Sequence, residues 1–463
     1  MQKIFSRLTP LTFVAVMAAA LVFTVPALAE AGGGHGAHAW TFLFIAVMLI
    51  SAKVAGLVER LGQPAVLGEL LIGVVLGNLA LVGFTGFEAI KTDEIIIFLA
   101  ELGVVILLFQ IGLESNIKEM SKVGLPAFMV AIAGVVFPFG LGVYVVGPWL
   151  LPEADFNTLL FLGAALTATS VGITARVFKD LGKLQTRESQ IVLGAAVIDD
   201  VMGLIILAVV SAIVTVGSIT GSAVALIILK AVAFLGGAIL IGQFCAPHVS
   251  MFFSKIQAGA GMKLALAFSI GLIFAWAAAQ IGLAPIIGAF AGGLILDAVV
   301  FRSFRRPEVV EELDAIQEEV QGPAKGKIAN LVKHYEHRHI EDLIEPVAQV
   351  FVPVFFVFTG MAVDLTTFAD KTVVLTALGI TAAAFIGKIV AGMFAGKGVD
   401  KWIIGFGMVP RGEVGLIFAT IGAGLGVVTG ATFSIIIIMV ILTTLLTPPI
   451  LTHLLKKQAM QEV

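Results

Sequence analysis

From residue 40 onward the chain repeats one pattern: an apolar run, a few polar or glycine-rich positions, then another apolar run. Each run has the roughly 20 residues that a helix needs to cross the hydrocarbon core of a bilayer. The pattern predicts thirteen spans, near 40–59, 65–83, 94–114, 122–150, 157–180, 189–217, 221–245, 262–280, 282–301, 346–363, 371–396, 401–426 and 431–455. The border after residue 280 is the softest, because only Gly282 and Pro285 interrupt the apolar run there. The start of the chain reads differently. Lys3 and Arg7 precede "LTFVAVMAAALVF", and "PALA" ends at Ala29. A basic start, a short apolar core and a small-residue site describe a signal peptide over 1–29, against the alternative of a retained first helix. Residues 30–39 follow as an external linker. Its His35 and His38 lie in "GGGHGAH", where a solvated segment is the plainer reading than a metal site.

Composition agrees: 59% of residues are hydrophobic, 13% charged, and mean hydropathy is +1.08. Soluble domains carry about 25% charge, so the fold class expected is an all-α polytopic membrane protein. A net charge of −3 says little about partners and gives no reason to expect nucleic acid. The single cysteine, Cys245, forms no intrachain disulfide. Charge does orient the spans. With the mature N-terminus outside, one set of short loops holds 20 Lys and Arg residues, seven of them in the 302–338 loop, and the other only Lys91 and Lys371. The basic side is cytoplasmic, so the carboxyl end is too. The one sizeable polar segment, 302–345, reads as a short amphipathic cytoplasmic helix followed by a linker. It separates a transmembrane part over 40–301 from the remainder at 346–463.

Faint internal echoes are ordered along the chain. "PAVLGELLIGVVLGN" and "PIIGAFAGGLILD" share Gly68/Gly73/Leu76 and Gly288/Gly293/Leu296. "LLFQIGLES" around Gly112 echoes "FVFTGMAVDL" around Gly360, and the glycine-interrupted "ALTATSVGITARVF" echoes "GFGMVPRGEVGLIF". Echoing spans stand seven apart, so the second copy runs in the opposite direction. Two inverted-topology repeats with two crossed discontinuous helices are therefore expected, and paired interrupted spans point to a transport site. Thr167, Thr169, Ser170 and Thr174 cluster at the first interruption, and Pro410, Arg411 and Glu413 at the second.

The charges inside the spans demand more. Asp199 and Asp200 are the only charges between Ser189 and Gly217, and each costs about 2.5–3.5 kcal/mol at a helix centre. Lys388, in "AAAFIGKIVAGMFAG", is the natural partner for one of them. A pair at about 4 Å and an effective dielectric near 20 gains roughly 4 kcal/mol, comparable with that cost. Neighbours on a helix point about 100° apart, so both aspartates cannot face one lysine, and the second must hold a proton or a cation. Competition between the two for one acidic pocket is the chemistry of exchange. Arg411 and Glu413 do not face each other on a regular helix, and each needs a partner elsewhere, as structural glue near the site. Lys230 reads as snorkelling. Glu69 and Glu101 line a funnel or make helix contacts.

Six motifs in order, "GQPAVLGELLIGVVLGN", "LAELGVVILLFQIGLE", "ATSVGITARVFKDLG", "VIDDVMGLIILA", "GLAPIIGAFAGGLIL" and "MVPRGEVGLIFA", resemble the monovalent cation:proton antiporter superfamily over about 60–455. Within it the adjacent aspartates and later lysine are similar to the NapA-type bacterial Na⁺/H⁺ antiporters. The resemblance implies a homodimer in the bacterial inner membrane. Its dimerisation spans would be 40–114 and 262–363, and a mobile core would comprise 122–217 and 371–455. It implies electrogenic exchange of Na⁺ or Li⁺ for H⁺ by an elevator movement, with no cofactor and no enzymatic reaction. Asp200 would be the main ion ligand, Asp199 the partner of Lys388 in the proton-loaded state, and Thr169 and Ser170 oxygen ligands, with Glu413 and Arg411 as supporting charges. A K⁺/H⁺ antiporter is the nearest alternative. A channel lacks a filter repeat, an intramembrane aspartyl protease needs its aspartates on facing helices, and a sensor on this fold stays open.

Overall fold

The computed structural model describes residues 39–461 apart from 62–63, 115–123, 185, 217–220, 297–300, 302–303, 305–307, 320–322 and 429. The signal peptide expected over 1–29 and the two histidines of the expected linker lie outside the described residues. Every regular element among those described is helical. Among the described residues, eight helices are long and apolar enough to cross a membrane, or nine if one bent pair counts as a single span. A helix occupies each of the thirteen ranges marked by the apolar pattern.

The first helices are α1 (Ala39–Ala55), α2 (Ala65–Gly77), α3 (Glu94–Glu114) and α4 (Leu125–Gly140). The chain then continues through a π-type turn at Leu141–Val146 to Leu150. Next come α5 (Phe156–Thr167), α6 (Val171–Asp180), α7 (Arg187–Val216), α8 (Gly221–Phe244) and α9 (Ala246–Ile256). After α10 (Ala260–Gln280), Gly282 adopts a φ of +81° and Pro285 opens α11 (Pro285–Leu294). The softest border is a real turn, because the left-handed conformation suits glycine and proline suits the first helical turn. The remainder is α12 (Glu308–Glu319), α13 (Pro323–Met361), α14 (Lys371–Gly392), α15 (Lys401–Gly407), α16 (Glu413–Gly424) and α17 (Gly430–Gln461). Aspartates start several of these: the side chains of Asp155, Asp370 and Asp400 accept backbone N–H groups of α5, α14 and α15 and satisfy donors that a helix leaves open at its start.

Two elements depart from the sequence reading. The segment read as a linker after the cytoplasmic helix is itself helical, and α13 runs unbroken for 39 residues into the membrane. Its apolar stripe explains this: Ile340, Ile344 and Ala348 recur every fourth residue and are all buried, so one face carries across the polar boundary. The loop read after 245 contains α9, which leaves α8 at 48°.

The helices gather into two bundles. In one, α13 packs on α1, α2 and α3, and α11 lies between α3 and α10. In the other, α4 and α14 pack together and on α7 and α17, with α5, α15 and α16 filling the middle. Helix α8 touches both α7 and α11. The first bundle is held by backbone-to-backbone approaches at glycine. A Cβ on Gly73 would meet Val357 and Gly360, and one on Gly293 would meet Phe109 and Gly112. The glycines that echo each other in sequence therefore make matching contacts, α2 on α13 and α11 on α3.

Candidate functional site at the crossing of two broken helices

The second bundle is interrupted twice, at Ala168–Ser170 between α5 and α6 and at Met408–Gly412 between α15 and α16. Pro410 has no N–H to give, so the second break follows from its sequence. The two unwound segments lie against each other. Ser170 N donates to Pro410 O at 2.7 Å. Thr169 Oγ1 donates to Met408 O at 3.2 Å and Thr174 Oγ1 to Gly407 O at 2.6 Å. The first broken helix thus supplies donors for carbonyls that the second break left without helical partners, as buried backbone requires. A Cβ on Gly412 would run into the Ser170 side chain, so glycine is what lets the segments touch.

Arg411 sits fully buried in this crossing. Its Nη2 donates to Leu166 O at 2.5 Å and to Ala384 O at 3.2 Å, and its Nη1 donates to Val409 O. Nε has no partner. The guanidinium ties the last turn of α5, the second break and the middle of α14 together. The partner anticipated from the sequence does lie across the crossing, but it is a set of carbonyls. Thr444 on α17 donates to Arg411 O at 2.8 Å; nothing in the apolar pattern singles it out, since threonine in an apolar helix usually bonds to its own turn. The side chain of Glu413 lies outside the described residues.

Asp199 and Lys388 form the ion pair of the site. Nζ donates to both carboxylate oxygens at 3.2 Å, and both side chains are buried, Lys388 completely. The Thr169 hydroxyl also lies within hydrogen-bond reach of Asp199. It has one proton for two acceptors, the carboxylate and Met408 O. Asp200 is only half-buried and close enough to Lys388 to act on its charge. The two neighbours therefore occupy different surroundings, one locked in a dry pair and one half-buried. Breaking a buried pair of this kind by removing one partner costs about 3–5 kcal/mol.

A cavity of about 170 Å³ opens between the bundles beside the crossing. Pro64, Leu67 and Leu70 wall it on the α2 side, and Ser170, Gly412 and Leu416 on the other, with Thr444 completing it. Of the sequence-marked residues, the structure brings Thr169, Ser170, Asp199, Lys388 and Arg411 into one cluster. Glu69 is buried on α2, while Glu101 and Lys230 are exposed on their helices. Among the described residues, no three His, Cys, Asp or Glu side chains come together as a metal cluster.

A polytopic helical chain with paired broken helices crossing at a buried ion pair has the layout of a secondary transporter. The match to known families makes this specific: the chain belongs to the sodium/hydrogen exchanger (transmembrane) family, whose model matches residues 43–318 and 329–457, and so to the monovalent cation:proton antiporter superfamily. It is a multi-pass membrane protein of a transporter family. A high-affinity Na⁺/H⁺ antiporter of Synechocystis, NhaS3, is 35% identical over 447 residues, covering 89% of each chain. The Na⁺/H⁺-K⁺ antiporter GerN of Bacillus cereus is also 35% identical, covering 89% of this chain and 95% of its own. The structure of the sodium proton antiporter MjNhaP1 from Methanocaldococcus jannaschii superposes with a TM-score of 0.64. It has 14% identity over 89% of this chain and 97% of that one, so it shares the fold.

Proposed function

We propose that this protein exchanges cytoplasmic Na⁺ or Li⁺ for external H⁺ across a bacterial inner membrane, electrogenically, as a homodimer of thirteen spans in two inverted repeats. The observation that carries this reading is the dry Asp199–Lys388 pair beside the half-buried Asp200 at the helix crossing. On this reading an alkali ion binds at Asp200, with Thr169 and the cavity-lining Ser170 as neutral oxygen donors. Loading disturbs the field that Lys388 and Asp199 share, and the proton that replaces the ion restores it. A charged, empty pocket is costly in a low-dielectric interior, so the moving bundle crosses only when ion or proton neutralises it. Two adjacent acids against one monovalent cation allow more than one proton per ion, which makes the exchange electrogenic. The matching glycine contacts of the first bundle support the inverted repeat and suit a static dimerisation frame, 40–114 and 262–363. The second bundle, 122–217 and 371–455, moves against it.

A second reading, K⁺/H⁺ exchange, is favoured by the likeness to GerN, whose name includes K⁺. One experiment addresses both: purified protein in proteoliposomes, offered Na⁺, Li⁺ or K⁺ under an imposed potential. Na⁺- and Li⁺-driven proton movement that responds to the potential is expected, and Asp200→Asn abolishes it. Exchange by Asp200→Asn at the wild-type rate would reject the ligand assignment, and a K⁺-only response would establish the second reading.

A further inference from the structure

The ion pair has a third wall. Helix α4 passes directly behind Lys388: a Cβ built on Gly134 would stand 3.2 Å from Nζ and 3.6 Å from Cδ. Four residues further on is Pro138, inside the helix. Proline has no N–H, so the Gly134 carbonyl lacks the donor that an unbroken helix would give it. The Pro138 ring in turn abuts Gly387, where a Cβ would lie 2.8 Å from its Cγ, which sets α14 against α4 at the residue before the lysine.

Resting on the antiport reading above, we propose that the carbonyl of Gly134 is a second seat for the Lys388 ammonium, taken up when Asp199 is occupied by a proton or cation. An ammonium has three donors, and in the resting pair two of them serve the Asp199 oxygens. Once that carboxylate is neutralised, and with the nearby Asp200 taken by the ion on the antiport reading, the buried ammonium requires another acceptor in the same dry pocket, because an unpaired buried charge is strongly destabilising. The carbonyl one turn before Lys388 on its own helix, Ala384 O, already receives Arg411. Gly134 O lacks the helical N–H that Pro138 cannot give, and it belongs to a residue whose missing Cβ would stand 3.2 Å from Nζ, so the flexible four-carbon stem turns towards it along the side that the glycine leaves open. The glycine leaves room for that swing, and the proline keeps the acceptor open. Both are positioning residues, acting on the ions only through Lys388.

Two measurements test this. The first is the cryo-EM structure of Asp199→Ala, where the lysine has lost its carboxylate: Nζ is expected within hydrogen-bond distance of Gly134 O, and an ammonium settled on any other acceptor overturns the proposal. This reading does not depend on transport, so a wild-type protein that failed to exchange ions would sink the function and leave the seat to be judged by the structure. The second is Pro138→Ala, which returns an N–H to the Gly134 carbonyl. The maximal exchange rate is expected to fall severalfold and the pH profile to shift, while thermal stability holds or rises, since proline is unfavourable within a helix. An unchanged rate and pH profile in Pro138→Ala would equally overturn it.

Discussion

At the scale of single residues, the site is governed by what each buried charge can reach. Lys388→Ala should lower stability by about 3–5 kcal/mol, because it strands Asp199 without a counter-charge. Lys388→Met with Asp199→Leu should lose far less, since no lone charge remains; thermal unfolding of the purified variants in detergent checks both. Arg411 differs in kind. Its planar fork spans three carbonyls, and a lysine at the same place brings one nitrogen that cannot. Arg411→Lys should therefore melt nearly as early as Arg411→Met, and rescue by lysine would show that charge alone matters. Asp199, Asp200 and Lys388 were legible in the sequence because a charge within an apolar run is conspicuous. The partners of Arg411 were not, since carbonyl oxygens occur at every residue and mark none. Gly134 was hidden for a similar reason: glycine in a membrane helix ordinarily means close packing, and only the fold shows what it packs against.

At the scale of elements, both breaks were readable, because Pro410 and the glycines around it are breakers whatever the tertiary context. The extent of α13 was not. Charged positions over 323–345 suggested a linker, and the stripe of Ile340, Ile344 and Ala348 that makes them helical acquires meaning only beside the helix it buries against. The glycine echoes were visible as sequence, but their pairing as Gly73 with Gly360 and Gly112 with Gly293 required the structure. That pairing carries a measurable load. Gly293→Leu should force α11 away from α3 and cost about 1–3 kcal/mol, as overpacking does. Gly424→Ala, with nothing nearby to strike, should stay within about 0.5 kcal/mol of wild type. Equal melting shifts for the two would mean that the glycine contacts do not hold the frame.

At the scale of the whole molecule, the two bundles meet across the cavity, and relative movement there is what the transport reading requires. Leu70 lines it from one bundle and Leu416 from the other. With Cys245 replaced by serine, cysteines at 70 and 416 joined by a short bifunctional thiol reagent should arrest exchange, and reductive release should restore it. Full transport by the cross-linked protein would exclude sliding of the bundles.

The cavity also bears on how an alkali ion sheds its water. A space of 170 Å³ has room for several ordered waters, so on the antiport reading an ion enters with part of its inner hydration intact. Leucine and proline along the outer wall offer nothing in exchange for that shell. On that reading, dehydration is deferred to the crossing, where the hydroxyls of Ser170 and Thr444 on the cavity wall stand in for part of the lost water. Discrimination among alkali metals is thus settled over the last few ångströms, as a contest between hydration energy and the oxygens waiting there.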